Sequence, residues 1–331
     1  MFDNKKILIT GGTGSLGTAL TKKLLETNVE TIRIYSRDEW KQIKMESSFN
    51  DKRLRFFIGD VRDKERMARA LENIDIVIHT AALKHVPIAE YNPFEAVKTN
   101  VSGTQNLIDA CLDKNVQHAL AIGTDKAVSP LNTYGATKLL MERLFVSGNY
   151  FRGRHQTIFS CVRYGNVMGS RGSIIPLFSK QIRENKKITV TNPEMTRFTI
   201  TMDEALDLII RSFKNPVPGQ ILVPKLKAYR LQDIIDALTE ITGISPEVEK
   251  IGLRAGEKMH EILISKDELR NTYENQTDYC IFEKQNFIQD VNIKNKIFEK
   301  SQLNHEYSSD KVTLLTKNEL IDIINKENIV S

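Results

Sequence analysis

The sequence predicts an α/β protein, a doubly wound parallel sheet with a smaller C-terminal lobe, and three observations carry this. Short apolar runs recur at Lys6–Thr10, Thr31–Ser36, Leu54–Ile58, Ile74–His79 and His118–Ile122, with helix-length segments between them. Apolar strands spaced in this way form a parallel sheet covered on both faces, and right-handed crossovers wind it outward in two directions. The first run leads straight into a cluster of glycines and a helical stretch through Leu25, the strand–turn–helix opening of such sheets. After about Gly165 the alternation weakens. Strand-like pieces at Ile188–Thr191 and Gln220–Val223 mix there with helical ones at Met202–Phe213 and Leu231–Thr242, which predicts a second lobe interleaved with the last strands of the sheet.

The division expected is residues 1–165 for the sheet domain, 166–265 for the lobe and 266–331 for a polar tail. The tail contains the stretches NTYENQTD and EKQNF and a capping-box start, Thr316-Lys317-Asn318-Glu319, ahead of Leu320–Ile324. It is expected to dock on its own subunit or a neighbour, or to fray.

A chain of 331 residues with 40% hydrophobic and 27% charged residues is ordinary globular material with ample core. The net charge of +5 is spread among nearly as many acids as bases, which argues against nucleic acid and suits a small anionic substrate. Cys111, Cys161 and Cys280 are an odd count without metal-ligand spacing, and the six histidines form no H-E-x-x-H cluster. No metal site and no disulfide framework are expected, and a reducing cytoplasm is the simplest setting. No signal peptide precedes the first strand, and no apolar run reaches the ~18 residues a membrane span needs.

The first chemical signal is Thr10-Gly11-Gly12-Thr13-Gly14-Ser15-Leu16-Gly17. Gly11, Gly14 and Gly17 permit a tight turn, close approach of a pyrophosphate and close strand–helix packing, and the helix N-terminus offers free N–H groups to phosphate. These predict a dinucleotide site. At the end of the second strand an NAD enzyme places a carboxylate on the ribose. Here the residues are Ser36, Arg37 and Asp38, with Lys41 a turn later. Ser36, Arg37 and Lys41 suit a 2′-phosphate, so NADP is the expected cofactor.

The catalytic block is Gly123-Thr124-Asp125-Lys126 at the end of the fifth strand, followed by Tyr134-Gly135-Ala136-Thr137-Lys138. Tyr134 and Lys138 lie i,i+4 on one helix face, where the ammonium is expected to lower the phenol's pKa so that tyrosinate takes a proton from a sugar hydroxyl. A second Tyr-x-x-x-Lys pair, Tyr307 and Lys311, sits in the tail with no strand before it and reads as solvated.

These motifs, together with YSRD, HTAALKHVPIAEYNP, RYGNV, MTRF and RAGEK, closely resemble the inverting UDP-N-acetylglucosamine 4,6-dehydratases. These are extended short-chain dehydrogenase/reductases on a Rossmann sheet, with a smaller C-terminal substrate lobe, that open pseudaminic acid and L-sugar capsule pathways. The match runs over roughly residues 1–265. Lys126 is the telling residue, since retaining relatives read Thr-Asp-Glu there. Where relatives carry serine before this triplet, the chain has Gly123.

The resemblance implies that Tyr134 with NADP oxidises C4, that neutral Lys126 then removes the C5 proton, and that protonated Asp125 assists departure of the C6 hydroxyl. Hydride returns to C6 and C5 is reprotonated with inversion. It also implies that Gly11, Thr13, Gly14, Ser15, Leu16 and Gly17 hold the pyrophosphate, Asp60 and Val61 the adenine, and Ala81 and Lys84 the cofactor. Lys84 would also lie near the UDP-N-acetylglucosamine, gripped by Asn166, Thr191, Arg254 and Glu257. Arg197 would either bind diphosphate or anchor a carboxylate inside the lobe. A homo-oligomer, dimer or hexamer, is expected from the same source. Two rival readings stay open: a nucleotide-sugar epimerase, which has no evident use for Asp125 and Lys126, and a non-catalytic NADP-binding sensor, which has none for the Tyr134–Lys138 pair.

Overall fold

In the computed structural model the described residues are 1–327 and 329, apart from 171, 185 and 283–296. The EKQNF stretch falls outside them. The N-terminal half runs β1 (Lys6–Thr10), α1 (Ser15–Leu25), β2 (Thr31–Ser36), α2 (Glu39–Phe49), β3 (Leu54–Ile58), α3 (Lys64–Ala70), β4 (Ile76–His79), α4 (Val86–Tyr91), α5 (Pro93–Val97), α6 (Gly103–Asp113), β5 (His118–Ile122) and α7 (Thr133–Phe151). Next come β6 (Ile158–Val162), β7 (Asn166–Val167), α8 (Ile174–Arg183), β8 (Ile188–Val190), β9 (Thr196–Ile200), α9 (Met202–Ser212), β10 (Gln220–Pro224), β11 (Ala228–Arg230) and α10 (Leu231–Thr242). The chain ends with β12 (Val248–Lys250), β13 (Ile262–Ile264), β14 (Thr272–Glu274), β15 (Asp278–Phe282), β16 (Glu299–Lys300), β17 (Tyr307–Ser308) and α11 (Lys317–Lys326).

Among the described residues ten strands form the main sheet, in the order β16-β14-β15-β10-β6-β5-β4-β1-β2-β3. The stretch from β10 to β3 is parallel throughout. Both faces are covered, as the apolar strands require. Along β1, Ile7 and Ile9 join the core on one face while Leu8 joins that on the other. Strand order reverses beside β1, which pairs β2 on one side and β4 on the other. A crevice opens there at the carboxyl ends of the strands.

The lobe has its own core, in which Ile175, Phe178 and Ile182 of α8 meet Ile188 and Val190 of β8 and Ile234, Ile235 and Leu238 of α10. Leu320 and Ile324 of α11 complete it. A full capping box starts α11: Glu319 N donates to Thr316 Oγ1 at 3.3 Å, and Thr316 N donates to Glu319 Oε2 at 2.8 Å.

The expected polar tail is thus structural. The buried run Asp278–Phe282 pairs antiparallel with β10, and β14 and β16 extend the edge. Its polar flanks hid an apolar strand. The reading of Tyr307 as solvated is corrected as well: it is buried in β17, and its hydroxyl accepts from Leu226 N at 2.6 Å and donates to Leu226 O at 3.0 Å. Lys311 stays outside, paired with Glu306 at 3.3 Å.

Candidate active site

A cleft of about 750 Å³ runs along the crevice from the end of β2, past the glycine turn and the end of β5, to the first turn of α8. Thr13, Gly14, Ser15, Leu16 and Gly17 line its floor. Gly11 adopts φ +65°, and a Cβ there would lie 2.9 Å from the backbone N and Cα of Ala81. A Cβ on Gly17 would lie 2.5 Å from Gly12 Cα, so α1 can seat against the turn only with glycine at that position. Gly14 caps α1 without a side-chain bond, which leaves the helix N–H groups for an anion. This cradle fits a dinucleotide pyrophosphate.

At the β2 end, Ser36, Arg37, Asp38, Lys41, Asp60 and Val61 all face the cleft. Asp38 caps α2 by accepting from Lys41 N at 3.0 Å, and its carboxylate also takes Lys41 Nζ at 2.6 Å. The Lys41 hydrogen bonds hold the Asp38 carboxyl below the usual range. Arg37 is 63% exposed, with Nη1 3.8 Å from Asp60 Oδ2, and Asp60 is clamped further by Arg62. Both expected cations therefore have an acid beside them, and their charge is only partly free for a phosphate. Thr80, Ala81 and Lys84 form the wall after β4.

The reacting end is built by β5, α7 and the lobe. Thr124 caps a 3₁₀ turn at Asp125–Ala127. Its hydroxyl donates to Asp125 Oδ1 at 2.9 Å. Lys126 Nζ donates to Asp125 Oδ1 at 3.0 Å and Asn166 Oδ1 at 3.1 Å, and lies 3.7 Å from Glu261 Oε1. On α7, Asn132 caps the helix by accepting from Gly135 N at 2.8 Å. A Cβ on Gly135 would sit 2.2 Å from Lys126 O. Glycine in YGATK thus lets α7 close on the turn and brings Tyr134 and Lys138 into the same cleft as Thr124 and Lys126.

The electrostatics depart from the sequence-based expectation at three groups. Burial pushes the Tyr134 phenol up to about 12, against the nearby Lys126 charge and a hydrogen bond with Thr124. Lys138 is not among the groups that act most on it: its ammonium donates to Ile122 O at 2.6 Å and Met141 Sδ at 2.8 Å, and burial pushes it down to about 8. Lys126 is the second correction. Burial alone would depress it, but Asp125 and then Glu261 outweigh burial and raise it above the ordinary lysine value. Third, Asp125 is 0% exposed and stands behind Thr124 and Lys126, which form the cleft wall.

Of the expected substrate ligands, Asn166 faces the cleft beside Lys126. Thr191, Arg254 and Glu257 do not line it. Arg254 and Glu257 sit on an exposed loop, with Arg254 N donating to Glu257 Oε2 at 3.3 Å. Asn132 Nδ2 ties that loop to α7 through Gly256 O at 2.9 Å. Arg197 serves the lobe: it donates to Thr196 O at 2.7 Å and Met259 O at 3.1 Å and lies 3.9 Å from Glu261.

Several residues escaped the sequence reading. Asn100, in a π turn at Lys98–Ser102, clasps Leu83 through both its N–H and its C=O and reaches Thr137 Oγ1 at 3.0 Å. It thereby fixes the Lys84 segment against α7. Glu142 on α7 binds Arg163, and a Cβ at Gly123 would lie 2.2 Å from Glu142 Oε1. Gly123 is thus matched to the acid packed against it. Glu261 left one signal, an acid inside the apolar run MHEILI.

Sheet order, glycine cradle and the Tyr134–Lys138 pair define an extended short-chain dehydrogenase/reductase. A family model described as "Polysaccharide biosynthesis protein" matches residues 7–283, and the chain belongs to this family. The inverting UDP-N-acetylglucosamine 4,6-dehydratase of Campylobacter jejuni serotype O:2 is 47% identical over 334 residues, covering 98% of either chain. A protein of Rickettsia felis named UDP-glucose 4-epimerase is 42% identical over 273 residues, 81% of this chain and 80% of its own. Among solved structures, Pen from Bacillus thuringiensis superposes with a TM-score of 0.93 at 39% identity, with both chains covered completely. Among the described residues no helix is long and apolar enough to cross a membrane.

Proposed function

We propose that this chain is an NADP-dependent UDP-N-acetylglucosamine 4,6-dehydratase that inverts C5. Lys126 carries the reading: it stands on the cleft wall, bonded to Asp125, across from Tyr134. An epimerase of this fold needs Tyr134 and Lys138 but has no evident use for Asp125 and Lys126, whereas elimination of water needs an acid and a base besides. The 47% relative's name supports the dehydratase, and the 42% relative's name keeps the epimerase as the second reading.

NADP, when bound, would supply the hydride acceptor for C4 and the hydride donor for C6. Ser36, Arg37 and Lys41 would meet its 2′-phosphate and the Gly11–Gly17 cradle its pyrophosphate. Tyr134 takes the C4 hydroxyl proton, after which the C4 ketone acidifies C5–H. Lys126 is a base only when neutral and Asp125 an acid only when protonated. One shift of a proton across their 3.0 Å contact arms both at no net cost in charge. Asp125 reaches the cleft through Thr124, which has a single proton to give. In this geometry that proton goes to Asp125 Oδ1, and the hydroxyl can pass a proton from the acid to the departing C6 oxygen.

The test is purified protein with UDP-N-acetylglucosamine in deuterated water. A 6-deoxy-4-ketose of L configuration, deuterated at C5 and formed without accumulation of reduced nicotinamide, is expected. Simple C4 inversion without ketone would instead establish the epimerase, and equal calorimetric affinity for NAD and NADP would remove the cofactor preference.

A further inference from the structure

The C-terminal segment is fastened beneath the reacting end of the cleft, and the two meet at Glu261. This residue precedes β13 and is 5% exposed. Its backbone is held twice by Ser309: Glu261 N donates to Ser309 Oγ at 2.9 Å, and Ser309 N donates to Glu261 O at 2.9 Å. Ser309 Oγ in turn lies 2.6 Å from Thr196 Oγ1, and β17 pairs with β13 alongside. The backbone that carries the carboxylate is thus held by the residue that follows β17.

Glu261 stands among cations: Lys126, Arg197 and Lys258 all feel its charge. Arg197 donates to two carbonyls and has its Nε 3.9 Å from Glu261 Oε1, while Lys126 Nζ is 3.7 Å from the same oxygen; both are ion-pair contacts longer than a hydrogen bond. Glu261 Oε2 is buried with no hydrogen-bond partner among the described residues. A buried carboxylate with one oxygen unsatisfied is costly, so its charge needs a reason beyond packing. Of Lys126 and Arg197, the nearer is Lys126, 3.7 Å away and on the cleft wall.

We propose that Glu261 is a positioning residue for Lys126: anchored by the C-terminal strand, its carboxylate holds the lysine side chain against Asp125 and Asn166 and stabilises the ammonium that forms when Lys126 takes the C5 proton. The inference rests on the dehydratase reading of Lys126. In that step the C5–H electron pair becomes the C5–C6 double bond as the C6–O bond breaks. The C5 proton goes to Lys126 Nζ, and the proton from Asp125 leaves in water. Lys126 ends as an ammonium between two carboxylates, the arrangement seen here. The other charged or titratable groups facing it are Arg197 on β9, Lys258 before β13, Tyr134 on α7 and Tyr229 on β11. The two cations oppose a charged lysine, and Glu261 and Asp125 together overcome them.

Full-length protein labelled with ¹³C at lysine Cε provides the test, with Lys126→Ala assigning the resonance. In Glu261→Gln, which keeps shape and loses charge, the Lys126 midpoint should fall by about one pH unit or more. Glu261→Asp should restore most of that, and Ser309→Ala, which loosens the anchor, should show part of the fall. With UDP-N-acetylglucosamine and NADP, the basic limb of kcat/KM should move down with it in Glu261→Gln. A Lys126 midpoint unmoved in Glu261→Gln overturns the proposal, and if that variant does not fold, an unmoved midpoint in Ser309→Ala does so. A wild type that leaves UDP-N-acetylglucosamine unchanged overturns the substrate reading alone, because the titration still decides the role of Glu261.

Discussion

Replacing Arg163 with methionine should lower the melting temperature substantially. Arg163 follows β6 and is 1% exposed. Its Nη2 donates to Glu142 Oε2 at 2.7 Å and Glu268 Oε1 at 2.9 Å, and its Nη1 donates to Leu263 O at 2.9 Å. One guanidinium thus joins the sheet, α7 and the segment after β13. Methionine keeps the stem's volume but leaves Glu142 buried without its cation, and breaking such a pair costs about 3–5 kcal/mol. At roughly 2 °C per kcal/mol for a chain of this size, the melt should drop by about 6–10 °C near neutral pH. The pH dependence has a definite sign. Burial would raise Glu268, but Arg163 and the Ser265 hydrogen bonds outweigh it and hold the carboxyl below its ordinary 4.5. A depressed carboxyl contributes stability that is present above 4.5 and lost as pH falls through the folded value. The variant lacks that contribution, so its deficit should be largest above 4.5 and shrink on acidification. Circular-dichroism melts of both proteins across this range are the assay. A variant melting within about 1 °C of wild type near neutral pH, or a gap that widens in acid, would refute the argument.

Gly17→Ala should weaken dinucleotide binding and cost about 1–3 kcal/mol of stability, because its Cβ would meet Gly12 Cα at 2.5 Å. Gly14→Ala, whose Cβ meets only Gly11 O at 3.2 Å, should be milder, and equal calorimetric losses for the two would contradict the packing account. His79 and His118 are buried and pushed down by burial to about 3. The unfolded chain therefore binds protons that the native state does not, and stability should fall as pH drops from about 6.5 toward 3. Replacing His118 with phenylalanine should flatten that slope, and an unchanged slope in urea titrations would count against it.

The parallel half of the sheet was legible because a strand buried on both faces leaves an unbroken apolar run. β1, β2, β3 and β5 begin and end where the pattern puts them, and β4 starts at Ile76 instead of Ile74. The last strands were not legible, since β14, β16 and β17 span two or three residues each in polar surroundings. The cleft lining was readable from glycine spacing and from the i,i+4 pair. Charge states were not. Lys126 looked like a lysine depressed by burial, and its actual state depends on Glu261, which only the tertiary fold brings near.

The place of β15 in the sheet bears on how the chain is made. Synthesis delivers β1 to β10 first, and β10 (Gln220–Pro224) is buried along its whole length. Until Asp278–Phe282 leaves the ribosome, the outer edge of that strand has no partner and presents open backbone donors and acceptors beside an apolar surface. Nascent chains stalled in this interval, and products truncated ahead of β15, would be sticky intermediates seeking a strand. β15 thus works as a late seal, closing this edge of the sheet only once Asp278–Phe282 has been made.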